Sequence, residues 1–109
     1  MPFLVVPGVP RNLTATVNGP ESITISWQEP EITNGLITSY RLTISIDSGP
    51  LNTNDIEDTT FIADMLSPFT NYSFEVAAVT SAGTGMSATT IAITAEDGKL
   101  SEINVYISY

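Results

Sequence analysis

The side chains of this chain that could take part in chemistry are acidic and hydroxyl groups, and the groups that usually activate them are missing. The sequence has no histidine and no cysteine, and its basic residues are Arg11, Arg41 and Lys99. A serine or threonine nucleophile needs a neighbouring base, and Lys99 lies beyond the last predicted strand. Disulfides and thiolate sites are excluded, and the commonest metal ligand is absent. The sequence therefore predicts a non-enzymatic chain with no catalytic residue, no metal-binding residue and no cofactor.

An acidic segment raises the alternative of a calcium site. Residues 52–60, NTNDIEDTT, contain Asp55, Glu57 and Asp58, and calcium takes oxygen ligands at close spacing. The segment lacks the regular ligand spacing and the tight glycine of an EF-hand loop. Because runs of charged residues are usually exposed to solvent, we expect an acidic loop between two strands that does not bind calcium at physiological affinity.

Two sequons give the sharpest chemical signal. Asn12-Leu13-Thr14 and Asn71-Tyr72-Ser73 both match the acceptor pattern for N-linked glycans. The middle residue of each sequon belongs to an apolar strand face, so alternation turns the asparagine outward, where a glycan does not disturb the core. We therefore predict glycosylation at Asn12 and Asn71 if the chain is secreted.

Length and charge limit the class of protein and of partner. A chain of 109 residues with 42% hydrophobic residues predicts one globular domain. The net charge of −9 argues against nucleic acid and anionic membrane surfaces, which attract basic patches. No apolar run approaches the roughly 20 residues of a membrane-spanning helix, and MPFLVVPG lacks the basic region of a secretory signal. We expect no direct membrane insertion, and we expect the chain to be a piece of a longer protein.

Alternating apolar and polar residues supply the elements that would position these groups. A period of two predicts strands with one buried face, and turn signals such as Asn34-Gly35 separate the strands. The predicted buried faces are Leu13, Ala15 and Val17; Ile23, Ile25 and Trp27; Tyr40, Leu42, Ile44 and Ile46; Phe61 and Ala63; Tyr72, Phe74, Val76 and Ala78; and Ile91, Ile93 and Ala95. Six or seven short strands without a helical pattern indicate an antiparallel sandwich or barrel.

An ordered set of motifs accompanies these strands. The motifs are Pro10-x-x-Leu13, Ile23-x-Ile25-x-Trp27-x-x-Pro30, Gly35-x-Ile37-x-x-Tyr40-x-Leu42-x-Ile44, Leu66-x-Pro68-x-Thr70-x-Tyr72-x-Phe74-x-Val76-x-Ala78, Gly83-x-Gly85-x-Ser87 and Ile91-x-Ile93-Thr94. The set resembles a fibronectin type III domain over about residues 7–97. The resemblance implies an all-β fold, an immunoglobulin-like antiparallel β-sandwich of seven strands, flanked by residues 1–6 and by a tail of residues 98–109.

The resemblance also implies roles for single residues. Trp27 would lie at the centre of the core, and Tyr72 would form a tyrosine corner, its hydroxyl bonded to backbone a few residues upstream. Met65 stands where the family often has glycine, and Ala63 where a larger apolar residue is usual. In the tail, Ile103 to Tyr109 alternate like a strand. The tail would begin the next segment, pair with an open sheet edge or lack order.

The loops at the ends of the sandwich are the candidate recognition sites. They contain Asn34-Gly35 and Gly83-Thr84-Gly85, and scaffolds present recognition residues on loops. In some members of the family the second loop holds Arg-Gly-Asp, an integrin ligand. Here residues 81–86 read SAGTGM, so we expect no integrin binding by that tripeptide, and we expect the glycines chiefly to permit a tight turn.

Residues 30–42, PEITNGLITSYRL, and the two sequons look most like repeats of receptor-type protein tyrosine phosphatases and cell-adhesion receptors. The resemblance implies a non-catalytic extracellular module, a spacer and protein-recognition unit, in a single-pass plasma-membrane protein or a secreted matrix protein. Its partners would be neighbouring repeats and an unidentified protein ligand, and a catalytic domain would be separate. Alternatives are an intracellular scaffold repeat of a giant muscle-type protein and a cytokine-receptor module. The latter calls for Trp-Ser-x-Trp-Ser, and the chain's one tryptophan is Trp27.

Overall fold

Seven β-strands in two antiparallel sheets make up the computed structural model, which describes residues 5–96. The strands are β1 (Arg11–Val17), β2 (Ile23–Gln28), β3 (Ser39–Ile46), β4 (Gly49–Ile56), β5 (Thr60–Ala63), β6 (Asn71–Thr80) and β7 (Gly83–Ile93). One sheet has the order β1-β2-β5 and the other β4-β3-β6-β7. The predicted seven-stranded sandwich is confirmed. The tail, including Lys99 to Tyr109, lies outside the described residues.

The core lies between the two sheets and is built from the alternating residues of β2, β3 and β6. The five residues predicted to be buried there are buried: Trp27, Tyr40, Leu42, Phe74 and Val76. The rings of Trp27 and Tyr40 meet edge to face, with centroids 5.5 Å apart and planes at 65°. This arrangement matches the quadrupoles of aromatic rings. Burial raises the pKa of the Tyr40 hydroxyl, and the negative charge of Glu29 raises it further.

Tyr72 forms the predicted corner at the start of β6. Its side chain is buried, and its hydroxyl oxygen accepts a hydrogen bond from the backbone N–H of Ser67 at 2.8 Å. The bond ties the strand to the loop that precedes it. The prediction that the Tyr72 hydroxyl bonds to backbone a few residues upstream is therefore confirmed.

The buried face of β7 differs from the prediction. Ile91 and Ile93 are exposed, while Ala92 packs against the core and Thr94, just after the strand, is buried. The register explains the reversal, because Ala92 pairs with Tyr72 across the sheet. The buried Phe74 and Val76 pair in the same way with Thr90 and Ala88, so the inner face of β7 carries small residues. A one-residue shift flips every side chain to the other face of the sheet.

Two segments predicted as loops are largely strand. Most of the acidic segment 52–60 belongs to β4, and only residues 57–59 form the turn to β5. Residues 83–85 belong to β7, so the turn before it consists of Ser81 and Ala82. Strand β4 escaped the pattern because it lies at a sheet edge and is mostly exposed. An edge strand whose two faces are both largely exposed to solvent has no buried face that requires alternating apolar residues.

Candidate functional site

The first and last described residues lie at opposite ends of the sandwich. The ten residues of β6 span about 30 Å at the rise of an extended strand. At the carboxyl terminus of β6, Thr80 pairs with Gly83. A Cβ built on Gly83 would lie 3.5 Å from the Val6 side chain. Near the amino terminus of β6, the N–H of Thr94 donates to the carbonyl of Thr70 at 3.0 Å. We call the region of Val6 and Gly83 the amino end of the sandwich and the region of Thr70 and Thr94 its carboxyl end, after the end of the described chain that lies there.

At the amino end, the predicted pair Asn34-Gly35 holds the segment that precedes β1. Both residues have positive φ, 55° for Asn34 and 141° for Gly35, a region that is open to glycine and tolerated by asparagine. The Asn34 side-chain amide donates to the Val6 carbonyl at 2.9 Å, and the Gly8 N–H donates to the Ile32 carbonyl at 2.9 Å. The loop is therefore fastened to the amino-terminal segment.

The second predicted group also contacts that segment. Gly83 has a φ of 129°, which suits the tight turn at Ser81 and Ala82. At Gly85, an added Cβ would lie 2.1 Å from the carbonyl oxygen of Pro7, closer than any real contact. The two glycines therefore shape the backbone, as expected, and Gly85 admits the buried Pro7. Thr84 differs, because its exposed hydroxyl accepts a hydrogen bond from the Arg41 guanidinium at 3.3 Å.

Exposed apolar side chains gather at the amino end. The amino-end surface, as we call it, consists of Val5, Val6, Ile32 and Leu36, whose exposed fractions are 54%, 37%, 63% and 83%. The bonds from Asn34 and Gly8 bring the loop and the segment that carry these residues together. Exposed apolar residues that are grouped in this way indicate a contact surface, whereas scattered ones do not.

The carboxyl end is held by the buried hydroxyl of Thr94, a motif residue to which the sequence assigned no role. Thr94 is 2% exposed, and its hydroxyl accepts from the Thr70 N–H at 2.9 Å and donates to the Ser67 carbonyl at 2.6 Å. The adjacent Ala95 N–H donates to Gly19 at 3.2 Å. No local sequence pattern predicts these hydrogen bonds, because Thr94 is distant in sequence from Ser67 and Thr70.

Two exposed apolar residues also mark the carboxyl end. Met65 and Phe69 are 91% and 64% exposed and have φ values of 57° and 47°. Left-handed backbone costs an ordinary L-residue about 1–2 kcal/mol. The conformation explains why glycine is frequent at the position of Met65 in the resembled family. These two side chains, the carboxyl-end surface, were not predicted as site residues.

The outer face of the four-stranded sheet has a shallow depression of about 240 Å³ over Ala77. Arg41 and Asp55 form an ion pair at its rim at 3.4 Å, with both side chains well exposed, and Ser87 donates to Glu75 at 2.7 Å. Exposed pairs of this kind contribute little stability, and the volume is below the usual range for ligand pockets. Within residues 5–96, no cluster of three acidic side chains could hold a metal ion, and no helix is long and apolar enough to cross a membrane.

The sequon asparagines are both exposed, but they have different surroundings. Asn12 lies at an irregularity of β1, with a φ of 53°, and its amide donates to the side-chain oxygen of Gln28. Asn71 begins β6 and pairs across the sheet with the exposed Ile93. Their outward positions agree with the alternation argument, while their use as glycan acceptors stays a prediction.

Comparisons with known proteins agree with this architecture. The fibronectin type III domain family matches residues 8–94. The human phosphatidylinositol phosphatase PTPRQ is 40% identical over 85 residues, which are 77% of this chain and 4% of that protein. The human netrin receptor DCC is 32% identical over 93 residues, 84% of this chain and 6% of that protein.

A solved structure shows the same fold over most of the chain. The FN5 domain of Drosophila Lar superposes with a TM-score of 0.69 at 29% identity, covering 84% of this chain and 100% of that chain. The chain therefore spans a small fraction of the two relatives and the whole of an isolated domain. The family match, the relatives and the two-sheet topology together show that this chain belongs to the fibronectin type III domain family.

Proposed function

We propose that the chain is a non-catalytic extracellular module of a larger cell-surface receptor or adhesion protein, in which it acts as a spacer and protein-recognition unit. The observation that carries the proposal is the location of apolar surfaces at both ends of the sandwich. The amino-end surface exposes Ile32 and Leu36, and the carboxyl-end surface exposes Met65 and Phe69. A module whose termini leave from opposite ends meets its neighbours through those surfaces.

The bonds at each end make the module suited to setting the angle between neighbours. Gly8 and Asn34 fasten the amino-terminal segment, and Thr94 and Ala95 fasten the carboxyl-terminal one. Because hydrogen bonds hold each terminal segment up to the edge of the domain, the segment fixes the orientation of the neighbouring repeat relative to this one. Contacts with a protein ligand would use the same end loops, because recognition residues on rigid scaffolds lie on loops.

The extracellular location is supported by the exposed asparagines of both sequons and by the similarity to a netrin receptor. Catalysis would belong to a separate domain, such as the tyrosine phosphatase of a receptor-type phosphatase. In support, the human phosphatase PTPRQ shares only 4% of its length with this chain, and the shared part is this sandwich.

Secretion from mammalian cells tests the location. We expect mass spectrometry after amidase treatment to show asparagine-to-aspartate conversion at Asn12 and Asn71. Unmodified asparagine at both sites in secreted protein would count against the extracellular assignment and favour the intracellular scaffold repeat.

The spacer role is tested in the chain extended by its native neighbouring repeats. Small-angle scattering should show a wider range of inter-repeat angles when Ile32 and Leu36 are both changed to serine. The control is Ile62→Ser, because Ile62 is 60% exposed on the outer face of β5, opposite Thr24, and belongs to neither end. Equal scattering from all three proteins would contradict the role of the amino-end surface.

A further inference from the structure

We propose that a glycan on Asn71 lies over Ile91 and Ile93, and that this contact stabilises the sandwich. The inference rests on the proposed function, because it requires glycosylation in a secretory pathway. It assigns an occupant to the two isoleucines of β7 that the strand pattern would bury and the structure exposes.

The register of the sheet places the sequon beside these isoleucines. Asn71 pairs directly with Ile93, and Ser73 pairs with Ile91. Directly opposed residues on one face have Cβ atoms about 4.5–5.5 Å apart, and diagonal neighbours lie about 7–8 Å apart. The first sugar on the Asn71 amide therefore starts beside Ile93 and within reach of Ile91.

The isoleucines are large apolar side chains that lie exposed on the outer face of the sheet. Ile91 and Ile93 are 65% and 53% exposed, whereas the next outward pairs along these strands are Glu75 with Thr89 and Ala77 with Ser87. Apolar side chains gain free energy when they leave water. A sugar ring covers them with its C–H face and its acetamido methyl group, and its hydroxyls remain hydrated.

Asn12 provides the contrast within the same molecule. Its side-chain amide is already bonded to Gln28, and its cross-strand neighbourhood on β2 presents Gln28 and Ser26. A glycan there starts beside polar side chains and finds no exposed apolar pair across the strand, while the N–H that remains on the amide can still donate to Gln28. The two glycans should therefore have unequal effects on stability.

The test compares one sequence with and without its glycan. The full chain carrying Asn12→Gln is secreted from mammalian cells, which leaves Asn71 as the one predicted glycosylated site, and is produced without glycans in bacteria. We expect the glycosylated form to melt about 3–6 °C higher, a readily measured shift for a domain of this size. Trimming the glycan to its first sugar should retain most of the shift.

Substitutions identify the contact. Ile91→Thr with Ile93→Thr keeps β-branched side chains and should remove most of the shift, whereas Ile62→Thr, an exposed isoleucine on the other sheet, should retain it. The isoleucine methyl resonances of residues 91 and 93 should move on glycosylation and that of residue 62 should not.

The outcomes separate this inference from the proposed function. Absence of a glycan on Asn71 in secreted protein overturns this inference alone, and the proposed function is contradicted only if Asn12 of the parent chain is also unmodified. A glycan whose stabilisation survives the double substitution overturns the contact alone. Self-association of the bacterial protein that the double substitution abolishes, without methyl shifts in the glycosylated protein, would show that a second copy covers the isoleucines and would also overturn it.

Discussion

The two ends of the sandwich are closed by different devices. At the amino end, backbone conformation and a missing side chain let the chain fold back, through the positive φ of Gly83 and the contact between Gly85 and Pro7. At the carboxyl end, the side-chain hydroxyls of Thr94 and Tyr72 accept hydrogen bonds from the backbone N–H groups of Thr70 and Ser67. The amino end should therefore be sensitive to atoms added at Gly85, and the carboxyl end to the removal of these hydroxyls.

The largest effect is expected from Gly85→Ala. The new Cβ would meet the Pro7 carbonyl oxygen at 2.1 Å, so the segment that carries the buried Pro7 must shift or detach. We expect a loss of about 3 kcal/mol in the free energy of unfolding, the upper part of the usual range for overpacking. Hydrogen exchange should locate the damage at the Gly8 N–H. Gly19→Ala is the matched control, because nothing lies within 4 Å of its Cβ; equal losses from both would refute the packing argument.

Thr94→Val tests the carboxyl end by removing a hydroxyl at nearly constant volume. The Thr70 N–H and the Ser67 carbonyl lose their partner, and we expect a cost of about 2 kcal/mol in urea denaturation. Thr89→Val, on the exposed face of β7, should change stability by less than about 0.5 kcal/mol. If the Gly8 N–H were to exchange faster in Thr94→Val, the two ends would not be independent.

A gain is expected from Met65→Gly at the same end. Met65 has a φ of 57° and is 91% exposed, so glycine relieves backbone strain and loses little packing. We expect thermal unfolding to show a stabilisation of about 1 kcal/mol. Met65→Ala removes the same side chain and keeps the strain, and it should give no gain. A comparable gain from alanine would mean that exposure of the methionine, and not its φ, is unfavourable.

The smallest effect concerns pH at the amino end, where Tyr40 faces the charge of Glu29. Burial first, and this charge second, raise the pKa of Tyr40 above its ordinary 10.0. The folded state therefore holds the proton more tightly, and this contribution to stability is present below about pH 10 and is lost as the pH rises through the folded-state pKa. Denaturation midpoints should fall less steeply above pH 10 in Tyr40→Phe than in the parent chain. Parallel curves would contradict a role for Tyr40.

The strand pattern predicts the core of this protein because, in the central strands, the alternation of apolar residues along the sequence marks the side chains that are buried. In β2, β3 and β6 the apolar residues alternate, and Trp27, Leu42 and Phe74 are buried as predicted. The ordered motifs also predicted the family and the hydrogen bond of Tyr72. Edge strand β4 was missed because its exposed residues carry no such period.

By itself, the amino-acid sequence determined the all-β class, the inner faces of the central strands, the two sequons and the absence of histidine and cysteine chemistry. Tertiary structure decided which face of β7 is buried, that Gly85 meets Pro7, that Thr94 holds the carboxyl end, and that Asn71 lies beside Ile93. The physical reason is the range of the interactions. Alternation reflects each residue's own gain from burial, whereas register and close approach depend on partners that only the folded chain brings together.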